Sequence, residues 1–150
     1  MAIKIGINGF GRMGRLTLRA AFGWQDIEFV QINDPAGNAK TLAHLLKYDS
    51  VHGTWSHDVT HDDNNVIIDG QAIRVTQNKA ISDTDWSECD LVIEASGKMK
   101  KTELLQAYLN QGVKKVVVTA PVKEEGVLNV VMGVNDHLYD VEQHSIVTAA

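Results

Sequence analysis

Gly9, Gly11 and Gly14 are spaced as G-x-G-x-x-G. They follow alternating apolar residues at Ile3, Ile5 and Ile7 and precede an unbroken segment from Arg15 to Phe22. The alternation reads as a short buried strand and the segment as a helix. Strand, glycine turn and helix in this order present bare backbone to phosphate groups. Gly9 permits the sharp turn out of the strand. Gly11 has no Cβ, so a pyrophosphate can approach the backbone, and Gly14 lets the helix pack close to the strand it has just left. The free N–H groups and the positive dipole end of that helix then face the anion. Ile27 to Ile32 alternates as a second strand and ends in Asn33-Asp34. A carboxylate there, about 20 residues past the glycines, takes the hydroxyls of an adenosine ribose. Read as local structure alone, the glycines are a tight turn, and Asp34-Pro35 is a turn or a helix cap. A carboxylate at this position also repels a 2′-phosphate, and only Lys40 lies near in sequence to offset it. NAD is therefore expected over NADP.

The elements that must position these residues follow in order. Asn38 to Tyr48 reads as a helix with Leu42, Leu45 and Leu46 on one stripe, and Asp49 to Thr54 as a polar loop. Val66-Ile67-Ile68 and Ala72 to Val75, joined by Asp69-Gly70, form a predicted hairpin with a type I′ turn. Leu91 to Ala95 is near-continuously apolar, as suits a parallel strand covered on both faces. A helix from about Lys101 to Asn110, closed by Gly112, comes next. Val116-Val117-Val118, Leu128 to Val134 and Ser145 to Thr148 are the remaining predicted strands. The expected fold is α/β, a doubly wound, mostly parallel sheet with an inserted β-hairpin. Ligands should gather beyond the carboxyl ends of its strands, where Ser96-Gly97 and Thr119-Ala120 join the glycines and Asn33-Asp34. Taken singly, Ser-Gly and Thr-Ala-Pro read equally well as strand-ending turns.

Composition excludes several classes. The 150 residues suit one domain, 44% of them hydrophobic, with a net charge of −5. That charge argues against a nucleic-acid groove or an anionic membrane surface, so neither partner is expected. The single cysteine, Cys89, has no partner for an internal disulfide, and no signal peptide or membrane span is read, so a cytoplasmic location is expected. Cys89 has no cation beside it in sequence and reads as packing. His57 and His61 lie four apart beside Asp58, Asp62 and Asp63. On a strand and turn that spacing does not converge, and a solvated turn is expected over a metal site. The apolar stretch Ser145 to Ala150 ends without a cap or polar tail, which reads as one domain of a longer protein.

The sequence strongly resembles the N-terminal half of the phosphorylating glyceraldehyde-3-phosphate dehydrogenase family. The matching stretches are Ile5 to Arg15, Ile32-Asn33-Asp34, Leu46 to Gly53, Gly112 to Pro121 and Gly133-Val134-Asn135. The resemblance implies that Gly9, Gly11 and the backbone of Arg12 and Met13 meet the pyrophosphate. It implies that Asp34, with Asn33 beside it among the cofactor-binding residues, holds the adenosine ribose, that Lys79 borders the adenine, and that Ser96, Gly97 and Thr119 contact the nicotinamide half. It places the catalytic residues beyond Ala150. There the family's cysteine attacks a phosphorylated aldehyde, a histidine acts as base, and an acyl-thioester forms before phosphate attack. It also implies a homotetramer for the full-length protein. Lys79 stands where the family usually has arginine, Ser96 where it has threonine and Met99 where it has an aromatic residue. Thr148-Ala149-Ala150 replaces the common Ser-Asn-Ala. These departures leave open a related erythrose-4-phosphate dehydrogenase or an arsenate-detoxification paralogue, and the lack of a credible nucleophile or base in these 150 residues leaves open a nucleotide-binding module without catalysis.

Overall fold

A computed structural model describes residues 2–124 and 127–149. In chain order the strands and helices are β1 (Ile3–Asn8), α1 (Arg12–Ala21), β2 (Ile27–Asn33) and α2 (Ala39–Lys47). The short pair β3 (Tyr48–Asp49) and β4 (Gly53–Thr54) follows, then β5 (Val59–His61), β6 (Asn65–Ile68) and β7 (Gln71–Thr76). The chain continues through β8 (Leu91–Glu94), α3 (Thr102–Asn110), β9 (Lys115–Val118), β10 (Leu128–Asn129) and β11 (Ile146–Thr148). Nine strands form one sheet in the order β10-β11-β9-β8-β1-β2-β7-β6-β5. All neighbours are parallel except β6 with β7 and β5 with β6. The expected hairpin is present, and Asp69 and Gly70 both have positive φ, as a type I′ turn requires. Its second strand, β7, also pairs with β2. The hairpin therefore extends the main sheet, and β5 adds a third antiparallel strand at the edge.

β1 lies between β2 and β8, and successive residues along it face opposite cores. Ile5 and Ile7 join a cluster with Leu18 of α1 and Leu42 and Leu46 of α2. Gly6, between them, faces Trp86 and Cys89, which cluster with Leu105 and Tyr108 of α3. Helices thus cover both faces, and the chain reverses its direction of winding at β1, where an open α/β sheet forms its crevice. Asn38 caps α2 by accepting the Thr41 N–H at 2.9 Å, and each buried leucine of that helix contributes roughly 2 kcal/mol.

Three readings are corrected by the structure. Helix α1 begins at Arg12 rather than Arg15, because Gly11 already serves as its N-cap. Asp49 to Thr54 is a small antiparallel pair rather than a plain loop; Asp49 Oδ1 accepts the N–H groups of Val51 and His52 and tightens the turn. The strand expected over Leu128 to Val134 stops at Asn129. There Asn135 Oδ1 accepts the Val131 N–H, and Gly133 adopts φ +84°, so the chain turns away. Val117 and Val147 remain half-buried beside Met132 and Tyr139, an apolar groove on the face that α3 does not cover. The last strand is Ile146–Thr148, and Ala150 lies outside the described residues.

Candidate functional site

The carboxyl ends of β1, β2, β7 and β8 open on a cleft of about 490 Å³. Gly9, Gly11, Asp34, Lys79 and Ser96 line it together. The glycine turn is held by two close approaches. Gly9 has φ +93°, and a Cβ on it would lie 2.5 Å from the Ser96 amide nitrogen. A Cβ on Gly14 would lie 2.2 Å from the Gly9 carbonyl oxygen, so α1 presses directly on the turn. Gly11 differs from both, with nothing within 4 Å of its Cβ position. It caps a helix that has no side-chain cap and no acid in its first turn. The first N–H groups of α1 and its positive dipole end are therefore left for an external anion.

Asp34 is oriented by the same turn. Its Oδ2 accepts the Phe10 N–H at 2.7 Å, and its Oδ1 accepts the Ala36 N–H at 2.8 Å. Each carboxylate oxygen keeps a further lone pair for a ligand hydroxyl. The tertiary fold also brings Lys98 and Met99 to the cleft alongside the expected Lys79, so that Lys98 adds a cation that was not foreseen.

Other expected site residues are placed differently. Arg12 and Met13 occupy the first turn of α1, so their backbone faces outward at the helix end. The Arg12 guanidinium is turned to Asp49, at 3.1 and 3.3 Å. The His52 and Val51 N–H groups and then Arg12 hold the Asp49 carboxyl well below the usual carboxylate range. Gly97, with φ +74°, follows Ser96 but does not line the cleft. Asn33 is buried behind it, its amide bonded to Asn8, Thr76 and Asn78. Thr119 also stands off the cleft, its N–H donating to the Glu94 carbonyl at 3.0 Å. Both serve the sheet rather than the cleft wall.

Sequence reasoning missed Asn8, which lines the cleft, and Glu94 and Tyr108, which are buried behind it and bonded to Asn8. One signal was available: a glutamate inside the apolar run Leu91 to Ala95 needs partners if it is buried. Burial and the adjacent Glu94 carboxylate push the Tyr108 hydroxyl far above its ordinary range, so it stays protonated as a donor.

A parallel sheet that reverses winding beside a glycine turn, an open helix N-terminus and an oriented aspartate define a dinucleotide-binding domain. Comparison with known families agrees: the model described as the glyceraldehyde 3-phosphate dehydrogenase NAD binding domain matches residues 3–102. The chain belongs to that family, and NAD is its cofactor. It is 51% identical over 152 residues to glyceraldehyde-3-phosphate dehydrogenase 3 of Nostoc sp. and 44% identical over 152 residues to the Geobacillus stearothermophilus enzyme. Similarity extends to the glyceraldehyde-3-phosphate dehydrogenase of Wickerhamomyces ciferrii, at 41% over 152 residues. Each match covers 100% of this chain and 45% of the relative. The chain thus spans less than half the length of these relatives.

The remaining chemistry-bearing residues stand outside the cleft. His57 Nδ1 meets Asp69 Oδ2 at 2.5 Å and packs on Phe22 and Trp55, which fixes the edge hairpin. Among the described residues no three His, Cys, Asp or Glu side chains converge as a metal site, and no helix is long and apolar enough to cross a membrane. Cys89 is buried against Gly6 and Trp86, and burial, reinforced by Glu88, pushes its thiol up to about 12. Iodoacetamide at pH 8 should therefore leave Cys89 unmodified in the folded chain and alkylate it fully in denaturant, as read by mass spectrometry. Rapid labelling of the folded chain would contradict this packing.

Proposed function

We propose that this chain is the NAD-binding domain, residues 1–150, of a phosphorylating aldehyde dehydrogenase that oxidises glyceraldehyde 3-phosphate with NAD and phosphate. The observation that carries the reading is the convergence of the open α1 N-terminus and the oriented Asp34 carboxylate on one cleft. In this reading Gly9, Gly11 and the Arg12 and Met13 N–H groups take the pyrophosphate. Asp34 holds the adenosine ribose and Lys79 borders the adenine, while Ser96, with Gly97 and Thr119 behind it, shapes the nicotinamide side. Asn33 acts from behind by holding β2 to β1 and β7. When bound, NAD supplies the hydride acceptor; this domain binds it, orients it and sets its approach. The nucleophile, base and aldehyde site belong to the catalytic domain that follows, and the whole protein works as a cytoplasmic homotetramer. The names and lengths of the relatives support this assignment.

A second reading, that the 150-residue chain acts as a nucleotide-binding module without catalysis, is favoured by the buried, protonated state of its single cysteine. Both readings require NAD binding by this chain. A thermal-melt titration tests it: at about 100 times the dissociation constant, NAD should add roughly 2.7 kcal/mol. For a domain of this size the melt should rise on the order of 5–10 °C, with a much smaller rise for NADP. A cooperative melt unmoved by NAD would refute the assignment.

A further inference from the structure

Along and behind the cleft, buried and partly buried side chains tie together the four strands that border it. Asn8 of β1 donates through Nδ2 to Glu94 Oε1 at 2.7 Å and to the Tyr108 hydroxyl oxygen at 2.8 Å. The Tyr108 hydroxyl donates to the same Oε1 at 2.7 Å. Asn8 Oδ1 accepts from Asn33 Nδ2 of β2 at 2.9 Å, and Asn33 Oδ1 accepts from Thr76 of β7 at 2.7 Å. Within this network Asn8 itself lines the cleft, and Glu94 is the member that bonds Ser96 on the cleft wall. Its Oε2 accepts both the Ser96 N–H, at 2.9 Å, and the Ser96 hydroxyl, at 2.6 Å. Glu94 itself is 1% exposed.

The forward pair of bonds matters because of what Ser96 touches. Its backbone lies against Gly9 so closely that even a Cβ on the glycine would overlap it. The distance between the phosphate turn and the Ser96 turn is therefore held from two sides, by the bare Gly9 in front and the Glu94 carboxylate behind. A carboxylate accepts only, and all four of its partners here are donors. An amide of the same shape would turn N–H hydrogens toward either Ser96 or the Asn8–Tyr108 pair. The Ser96 hydroxyl can rotate to accept, but its N–H cannot.

We propose that Glu94 is a positioning residue for the bound dinucleotide, holding Ser96 so that the nicotinamide-side wall of the cleft is formed before the cofactor arrives. The inference rests on the NAD-binding reading above. Preformed walls raise affinity by removing the ordering cost from the binding step. The gain should fall only on ligands long enough to reach Ser96.

Calorimetric titration of the chain with NAD and, separately, with AMP distinguishes positioning from general damage. AMP reaches only from the adenine to the first phosphate. Glu94→Gln should raise the NAD dissociation constant about tenfold while AMP changes by no more than about twofold. Tyr108→Phe removes a buried donor but leaves both Ser96 bonds in place. It should lower the melting temperature and leave both dissociation constants within about twofold. The proposal is overturned if Glu94→Gln weakens NAD and AMP by the same factor or leaves NAD unchanged. It is also overturned if Tyr108→Phe loses NAD selectively. A wild-type chain that binds neither ligand would instead refute the NAD-binding reading itself.

Discussion

Gly9→Ala should destabilise the chain by more than about 4 kcal/mol, whereas Gly11→Ala should fold normally and lose cofactor. At Gly9 the new methyl would sit 2.5 Å from the Ser96 nitrogen and 2.7 Å from the Ala95 carbonyl carbon, both backbone atoms, in a residue already at φ +93°. Neither the strain nor the overlap can be relieved without parting β1 from β8 at the site itself. With total stabilities of about 5–15 kcal/mol typical, the variant should melt more than about 10 °C lower and expose its core early. Gly14→Ala should behave likewise, its methyl placed 2.2 Å from the Gly9 oxygen. Gly11→Ala meets no protein atom within 4 Å. Its melt should fall by no more than about 4 °C, the roughly 1 kcal/mol that alanine costs at an N-cap, while NAD affinity falls about 10- to 100-fold, because the methyl takes the space a phosphate oxygen needs. Melting curves with and without NAD read both quantities. Equal stability losses at Gly9 and Gly11 would show that the turn is not built as described.

Asp34→Ala should weaken NAD binding by about 100-fold. The carboxylate is the acidic group at the end of β2, and two backbone N–H groups aim it, so a bound ribose finds acceptors that need no rearrangement. Removing it also leaves the Phe10 N–H without its acceptor, at about 1–2 kcal/mol of stability. The two effects separate when each melt with NAD is referred to the same variant's ligand-free melt. A variant that loses stability but keeps the full NAD-induced shift would move the ribose contact elsewhere.

Much of this was legible because short-range physics carried it. The glycine spacing, the Asp-Gly turn and the alternation of β1 and β2 depend on local backbone freedom and on one buried face, and both leave marks in sequence. The same local logic failed at Val130 to Val134. An apolar run there looks like a strand, but Gly133 and the Asn135 side chain favour a turn, and a side-chain hydrogen bond of that kind has no fixed sequence pattern. Asn33 was expected at the ligand edge beside Asp34. Alternation sends consecutive strand residues to opposite faces, so its amide points into the sheet's buried polar network.

The sequence by itself determined the fold class, the glycine turn and the carboxylate at the end of β2, since each is written within about 30 residues by spacing and residue type. Only the tertiary structure decided what stands around them. It brought Lys98 and Met99 to the cleft beside Lys79, tied the Asn33 amide to Asn8 and Thr76, and joined Asn8 to Glu94 and Tyr108 from positions 86 and 100 residues away. Pairings across that separation depend on strand order and register, which the whole sheet settles at once through burial.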